Sequence, residues 1–249
     1  MVSLVGSLFK SLLNNMRYYI YRTFFLVVFL FLQSCHHDLD FKGNASPSIQ
    51  RQAEAASYNT QLGLAYLQEG QRPRAKQKLL KAYEQAPDSP NVNAAMGFFF
   101  EKTGDVKKAT EFFDKALALA PHDGIQLNNY GAFLCRQKHY ADAESYFLQA
   151  VKDVHYVNSA GAYENAGLCV AQIAEYKKAI HYFKKALKQD PSRKQSIAEL
   201  LRIEMKLDQP GKALALVKQY DEQIKNDHQL TSLAMEVTHR NRKNDTEIN

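Results

Sequence analysis

Between Leu127 and Ala150 the chain reads as two apolar stripes parted by a short polar break, Gln137-Lys138-His139. Leu127, Tyr130, Gly131 and Leu134 form the first stripe; Ala143, Phe147 and Ala150 form the second. Steps of three and four put each set on one face of an α-helix, so the stretch predicts a helix, a tight turn and a second helix. Gly131 and Ala143 are small where two antiparallel helices must approach, and Tyr130, Leu134 and Phe147 fill the wider space beside them. One such hairpin leaves apolar faces uncovered, so it requires copies on either side.

The copies are present. Gly63, Gly97, Gly131 and Gly167 keep steps of thirty-four, thirty-four and thirty-six residues, and Ala75, Ala109, Ala143, Ala179 and Ala213 keep the same phase. Leu79, Phe113, Phe147 and Phe183 form a third track, Ala82, Ala116, Ala150 and Ala186 a fourth, and Pro87, Pro121 and Pro191 close units, with His155 in that slot of the third copy. Small, aromatic and proline tracks in this order are the signature of tetratricopeptide repeats. The fold class that follows is all-α: a right-handed tetratricopeptide superhelix (an α-solenoid) of about five helical hairpins plus a C-terminal capping helix. The repeats fall at about 56–89, 90–123, 124–159, 160–193 and 194–227, the cap at 228–243 and a disordered tail at 244–249. Glu69-Gly70-Gln71 and Thr103-Gly104-Asp105 make turns, and Pro73 stands where a helix start tolerates a missing N–H. A two-residue insertion between Asp153 and Ser159 predicts an irregular junction. The fifth copy is degenerate, with Leu200 and Leu201 in place of the small residue, and the cap is expected to lack a partner helix.

In such arrays the first helices line a concave groove. The inward positions not spent on packing are Leu64, Leu67, Gln68, Phe98, Glu101, Lys102, Ile125, Asn128, Ala132, Arg136, Glu164 and Leu168. Leu64, Phe98 and Leu168 hold equivalent slots, and an exposed row of apolar side chains is what a protein-binding groove needs.

Ahead of the repeats, Thr23–Leu32 is a solid apolar run preceded by Arg17 and Arg22. It is short of the roughly twenty residues a spanning helix takes, so residues 1–34 read as a signal peptide, with Met16 as an alternative start. Leu32-Gln33-Ser34-Cys35 resembles the bacterial lipobox, which implies a cleaved leader and an acylated Cys35. With His36 rather than aspartate following, the expected address is the outer membrane, lipid-anchored and facing the periplasm. Residues 35–55 then form the lipidated cysteine and a linker, with His36, His37, Asp38 and Asp40 a polar tether rather than a metal site.

The formal charge is +6, of which Lys10, Arg17 and Arg22 belong to the leader. So mild a balance argues against nucleic acid as a partner. No nucleophile elbow, phosphate-cradling glycine loop or zinc spacing occurs, and the histidines are scattered, so neither catalysis, a metal nor a cofactor is expected. Cys135 and Cys169 remain as an even pair in an oxidising compartment. They lie four and two residues after equivalent glycines, about 200° apart around a helix, and so can face one another from neighbouring first helices. A disulfide is the expectation, two buried thiols the alternative.

Asn128-Asn129-Tyr130-Gly131 and Tyr163-Glu164-Asn165-Ala166-Gly167-Leu168-Cys169, behind a lipobox and a short tether, resemble the PilF/PilW family of type IV pilus biogenesis and stability lipoproteins. The resemblance runs from Met16 to about Asp227. It implies a noncatalytic, pilotin-like outer-membrane scaffold that aids localisation or multimerisation of the pilus secretin, or pilus stability. The alternative is a general periplasmic lipoprotein adaptor recruiting cell-wall or envelope enzymes.

Overall fold

A computed structural model describes residues 46–247, with side chains through 243. The leader, Cys35 and the tether up to 45 lie outside the described residues. Twelve helices and no strand occur among those described. Five hairpins come first: α1 (Pro47–Gln68) with α2 (Arg72–Gln85), α3 (Pro90–Thr103) with α4 (Val106–Leu119), α5 (Gly124–Arg136) with α6 (Tyr140–Ala150), α7 (Ser159–Ala171) with α8 (Tyr176–Gln189), and α9 (Lys194–Lys206) with α10 (Pro210–Gln219). A short α11 (Asp221–Lys225) and a long α12 (His228–Glu247) follow.

The small and large tracks lock each hairpin. A methyl group added at Gly97 would lie 2.9 Å from the Phe113 ring, and one at Gly167 would lie 2.8 Å from Phe183. The glycines therefore let α3 and α7 pack directly against the aromatic rings of α4 and α8. Phe113, Phe147 and Phe183 are buried, as are the alanines of the neighbouring tracks. In the fifth copy the sizes invert: the larger Leu200 and Leu201 are wholly buried, and a smaller Val217 packs on the same core. The register survives because the volumes still sum to a filled interface.

Side chains cap several of these helices. The Ser89 hydroxyl accepts from Val92 N, Asp105 from Lys108 N, Asp123 from Ile125 N and Gln126 N, and Asn158 from Gly161 N. Each satisfies amides that a helix start leaves unpaired. Every hairpin turn places a left-handed residue at the same register: Gly70, Gly104, Lys138, Ala174 and Asp208. Glycine occupies two of these positions and the other three bear a side chain in a conformation L-residues resist.

First helices touch in succession, α1 to α3, α3 to α5, α5 to α7 and α7 to α9, whereas α2, α4, α6, α8 and α10 form no comparable succession among themselves. The first helices thus form the tighter inner row and the second helices the splayed outer one. Between repeats three and four the inserted loop is anchored rather than loose. The Asp153 carboxylate accepts from Gly124 N at 2.8 Å and from His155 N at 2.9 Å, and those amides hold its pKa below the usual carboxylate range. Tyr156 is buried against Gly124, while Val154 and Val157 stand in solvent.

Two boundaries and one packing expectation differ from the sequence reading. α1 begins at Pro47, so the last part of the expected 35–55 linker is helical. α12 runs to Glu247, into the expected disordered tail at 244–249. The cap also has partners, since α12 packs on α9, α10 and α11 and buries Leu230, Ala234 and Val237.

Candidate protein-binding groove

The inner row opens into a cleft of about 530 Å³ between α1, α3 and α5. Leu64, Phe98 and Ala132, one residue from each helix in equivalent slots, lie along it with Ala94 and Ala95. Gln61, Gln68, Asn91 and Asn129 place amide groups beside this apolar strip, and Arg136 supplies the one charge among the lining residues. Apolar anchor sites flanked by unionised donors and acceptors suit a polypeptide segment, whose side chains fill the anchors while its backbone bonds the amides.

Phe98 sits between two cations. The Lys102 ammonium lies 5.2 Å and the Arg136 guanidinium 5.9 Å from its ring centroid. Arg136 is held there by a bidentate pair with Glu101, Nε to Oε1 at 2.6 Å and Nη2 to Oε2 at 2.7 Å. The Glu101 side chain is only 9% exposed against 40% for Arg136, so the carboxylate is tucked between α3 and α5 while the guanidinium faces the cleft. The fork geometry fixes the arginine plane, which a lysine in its place would not do.

Of the expected groove residues, the structure gathers Leu64, Gln68, Phe98, Ala132 and Arg136 at this cleft, with Lys102 against the Phe98 ring. Leu67 is a correction: it is buried in a core with Met96 and Phe99. Leu67, Glu101 and Cys135 share one register, thirty-four residues apart, and all three turn onto the next first helix instead of outward. Glu164 is also engaged elsewhere. Its carboxylate accepts from Ser196 N at 3.1 Å, Ser196 Oγ at 2.7 Å and Arg193 Nη2 at 3.1 Å, clamping α7 to the start of α9. Asn128 accepts from Asn165 Nδ2 at 3.0 Å, a polar rung between α5 and α7. Leu168, half-buried, packs on the large C-terminal core and does not line the cleft. Cys135 and Cys169 meet, with Cα atoms 5.8 Å apart and sulfurs within bonding distance.

Ala53, Ser57 and Thr60 of α1 wall one side of the cleft, and Ala53 falls in the stretch assigned to linker. Pro47 was the available signal, since proline favours the first position of a helix. Among the described residues, no cluster of three His, Cys, Asp or Glu side chains could hold a metal ion, and no helix is long and apolar enough to cross a membrane.

Comparisons with known proteins agree with this architecture. Tetratricopeptide repeat models match residues 60–124 and 134–194, and another matches 174–234. The chain is 38% identical over 151 residues to the type IV pilus assembly protein PilF of Pseudomonas aeruginosa, covering 59% of this chain and 60% of that protein. A Haemophilus influenzae protein without a described function is 31% identical over 124 residues, half of this chain and 69% of the relative. Among solved structures, that of Pseudomonas aeruginosa PilF superposes with a TM-score of 0.65 at 30% identity, covering 78% of this chain and 88% of the other. PilW, described as a widely conserved type IV pilus biogenesis factor, gives 0.64 at 26% identity, covering 74% and 85%.

Proposed function

The chain belongs to the tetratricopeptide repeat family and is a PilF/PilW-like member of it; on that footing we propose that it is a noncatalytic scaffold of type IV pilus biogenesis. In this reading an acylated Cys35 tethers the repeats to the outer membrane on its periplasmic side. The groove between α1, α3 and α5 then captures a segment of the pilus secretin and helps it localise or multimerise. The observation that carries the reading is the apolar strip of Leu64, Phe98 and Ala132 with Arg136 at its side, in a protein similar to two pilus biogenesis factors. Confinement to a membrane plane raises the partner's effective concentration, so a modest groove affinity suffices.

Deleting the protein reduces heat-resistant secretin multimers; unchanged multimers together with normal piliation would defeat the assignment. A crosslinked pull-down of the lipidated protein from its native envelope tests the partner, and recovery of a cell-wall hydrolase instead of secretin favours the general adaptor. Phe98→Glu places a carboxylate on the apolar strip and weakens capture while leaving helicity intact. The same reading includes a Cys135–Cys169 bridge between repeats three and four, which would stabilise by about 3–4 kcal/mol for a loop of this length. Two reactive thiols in the denatured, unreduced mature chain would rule the bridge out.

A further inference from the structure

We propose that the outer row of second helices, centred on α8, is a cationic face that docks on an anionic phospholipid surface. The mild charge of the whole chain hides a strong segregation. Lysines and arginines number five on α2, three on α4, none on α6, five on α8 and two on α10; carboxylates number one, two, two, none and none. The inner row is nearly balanced, with six cations against five carboxylates on α1, α3, α5, α7 and α9.

The segregation peaks on α8, which has no acidic residue along Tyr176–Gln189. Lys178 pairs with Glu144 on α6 at 3.1 Å, and Lys185 lies 5.2 Å over the Tyr163 ring. Lys177, Lys184 and Lys188 are exposed, and none has an ion-pair partner among the described residues. Beside them, between α8 and the α10–α11 segment, opens a cleft of about 580 Å³ bordered by Lys184 and Lys188 with Leu187 and Leu216 at its base. Phosphate oxygens fit the ammonium pair there, and the apolar base accommodates the glycerol end of a headgroup.

The charge chemistry favours a lipid over the other anionic macromolecules. All five cations of α8 are lysines, mobile point charges, whereas register-specific capture of a carboxylate or phosphate uses the arginine fork. Single-stranded nucleic acid needs aromatic platforms. Tyr58, the large aromatic side chain exposed among the described residues, belongs to α1 of the inner row. A fluid anionic surface demands neither. Docked in this way, the outer row faces the headgroups and the groove of the inner row faces away from them, toward a partner. The proposal rests on the lipid-tether reading only for bringing a membrane within reach.

The test is lysine acetylation of the full mature chain on vesicles, read residue by residue by mass spectrometry. Vesicles of phosphatidylethanolamine with phosphatidylglycerol at about 7:3 are compared with phosphatidylcholine vesicles at low salt. Each lysine near an anionic surface contributes a factor of about five to binding. Labelling of Lys177, Lys184 and Lys188 is therefore expected to slow at least about fivefold on the anionic vesicles alone, with Lys102 of the inner row, which lies against Phe98 in the groove, unchanged. High salt restores the rate. Lys184→Gln with Lys188→Gln removes the protection of Lys177 at unchanged helicity. Sedimentation reports on the tether separately. Protein that pellets with anionic but not neutral vesicles supports the face and sinks the tether; protein that pellets with both but is labelled uniformly sinks the face. Protection on neutral vesicles as well, protection by a single-stranded oligonucleotide but not by vesicles, or sedimentation with neither vesicle, overturns the proposal.

Discussion

Gly97→Ala isolates the packing that holds a hairpin together. A methyl group is small, and on an exposed helix the exchange is favourable, since alanine exceeds glycine by about 0.8–1 kcal/mol in helix propensity. Here the new Cβ would stand 2.9–3.0 Å from three atoms of the Phe113 ring. That ring cannot retreat freely: it is 3% exposed and stacks on Phe133 of the next repeat with centroids 4.6 Å apart. Overpacking of this kind costs about 1–3 kcal/mol, so the net change runs from neutral to about 2 kcal/mol destabilising. Removing the ring reverses the sign. Phe113→Ala alone costs about 3–5 kcal/mol, but in that background the Gly97 methyl meets open space and the propensity gain of about 1 kcal/mol returns. A double-mutant cycle by urea denaturation, followed by circular dichroism at the helical band, should thus give a coupling of about 1–3 kcal/mol. Gly97→Ala that stabilises equally in both backgrounds would refute the close approach as the reason for glycine.

Three further outcomes follow from the same geometry. Ala174 holds a φ of 59° in an exposed turn, and an L-residue there pays roughly 1–2 kcal/mol, so Ala174→Gly should raise stability by up to about 1 kcal/mol once the looser unfolded chain is counted; a lower melting point would contradict it. The carboxylates of Asp105, Asp153 and Asp227 are each held below their ordinary pKa, chiefly by backbone amides, so their contribution is complete above the unfolded value near 4 and is lost as pH falls through the lower folded values. Stability should be flat from about pH 5 to 7 and fall below about pH 4, with Asp153→Asn flattening part of that acid limb; an unaltered limb would remove Asp153 from the account. Tyr156→Ala opens a void between the inserted loop and α5, and faster hydrogen exchange should appear at Gly124 and across 153–158, while unchanged protection there would show that the ring does not anchor the loop.

Much of this protein was legible without coordinates, and the reasons are specific. Gly97 opposite Phe113 and Gly167 opposite Phe183 recur in phase because a hairpin has one distance of closest approach, and that distance must be met in every copy. Helical spacing then separates inner from outer helices, and Leu64, Phe98 and Leu168 emerge as equivalent positions, of which Leu64 and Phe98 line the cleft and Leu168 packs on the C-terminal core. Charge segregation onto the second helices was equally open to reading, but whole-chain composition averages it away. The failures share another cause. Leu67 looked like Leu64, and Glu164 like a groove acid, because a period of thirty-four residues describes one hairpin and leaves unstated how far the next is rotated against it. That rotation decides which of two adjacent inward positions is buried: Leu67 enters a core with Phe99, Glu101 takes Arg136, and Glu164 takes Ser196 and Arg193.

The sequence alone determined the repeat, its register and its turns, since these are local consequences of helical periodicity and residue volume. Tertiary structure alone decided where the groove lies, how far α1 extends to wall it, and which polar side chains are consumed in joining repeats. Those depend on the curvature of the stacked array, a sum of many small interface rotations that no single repeat encodes.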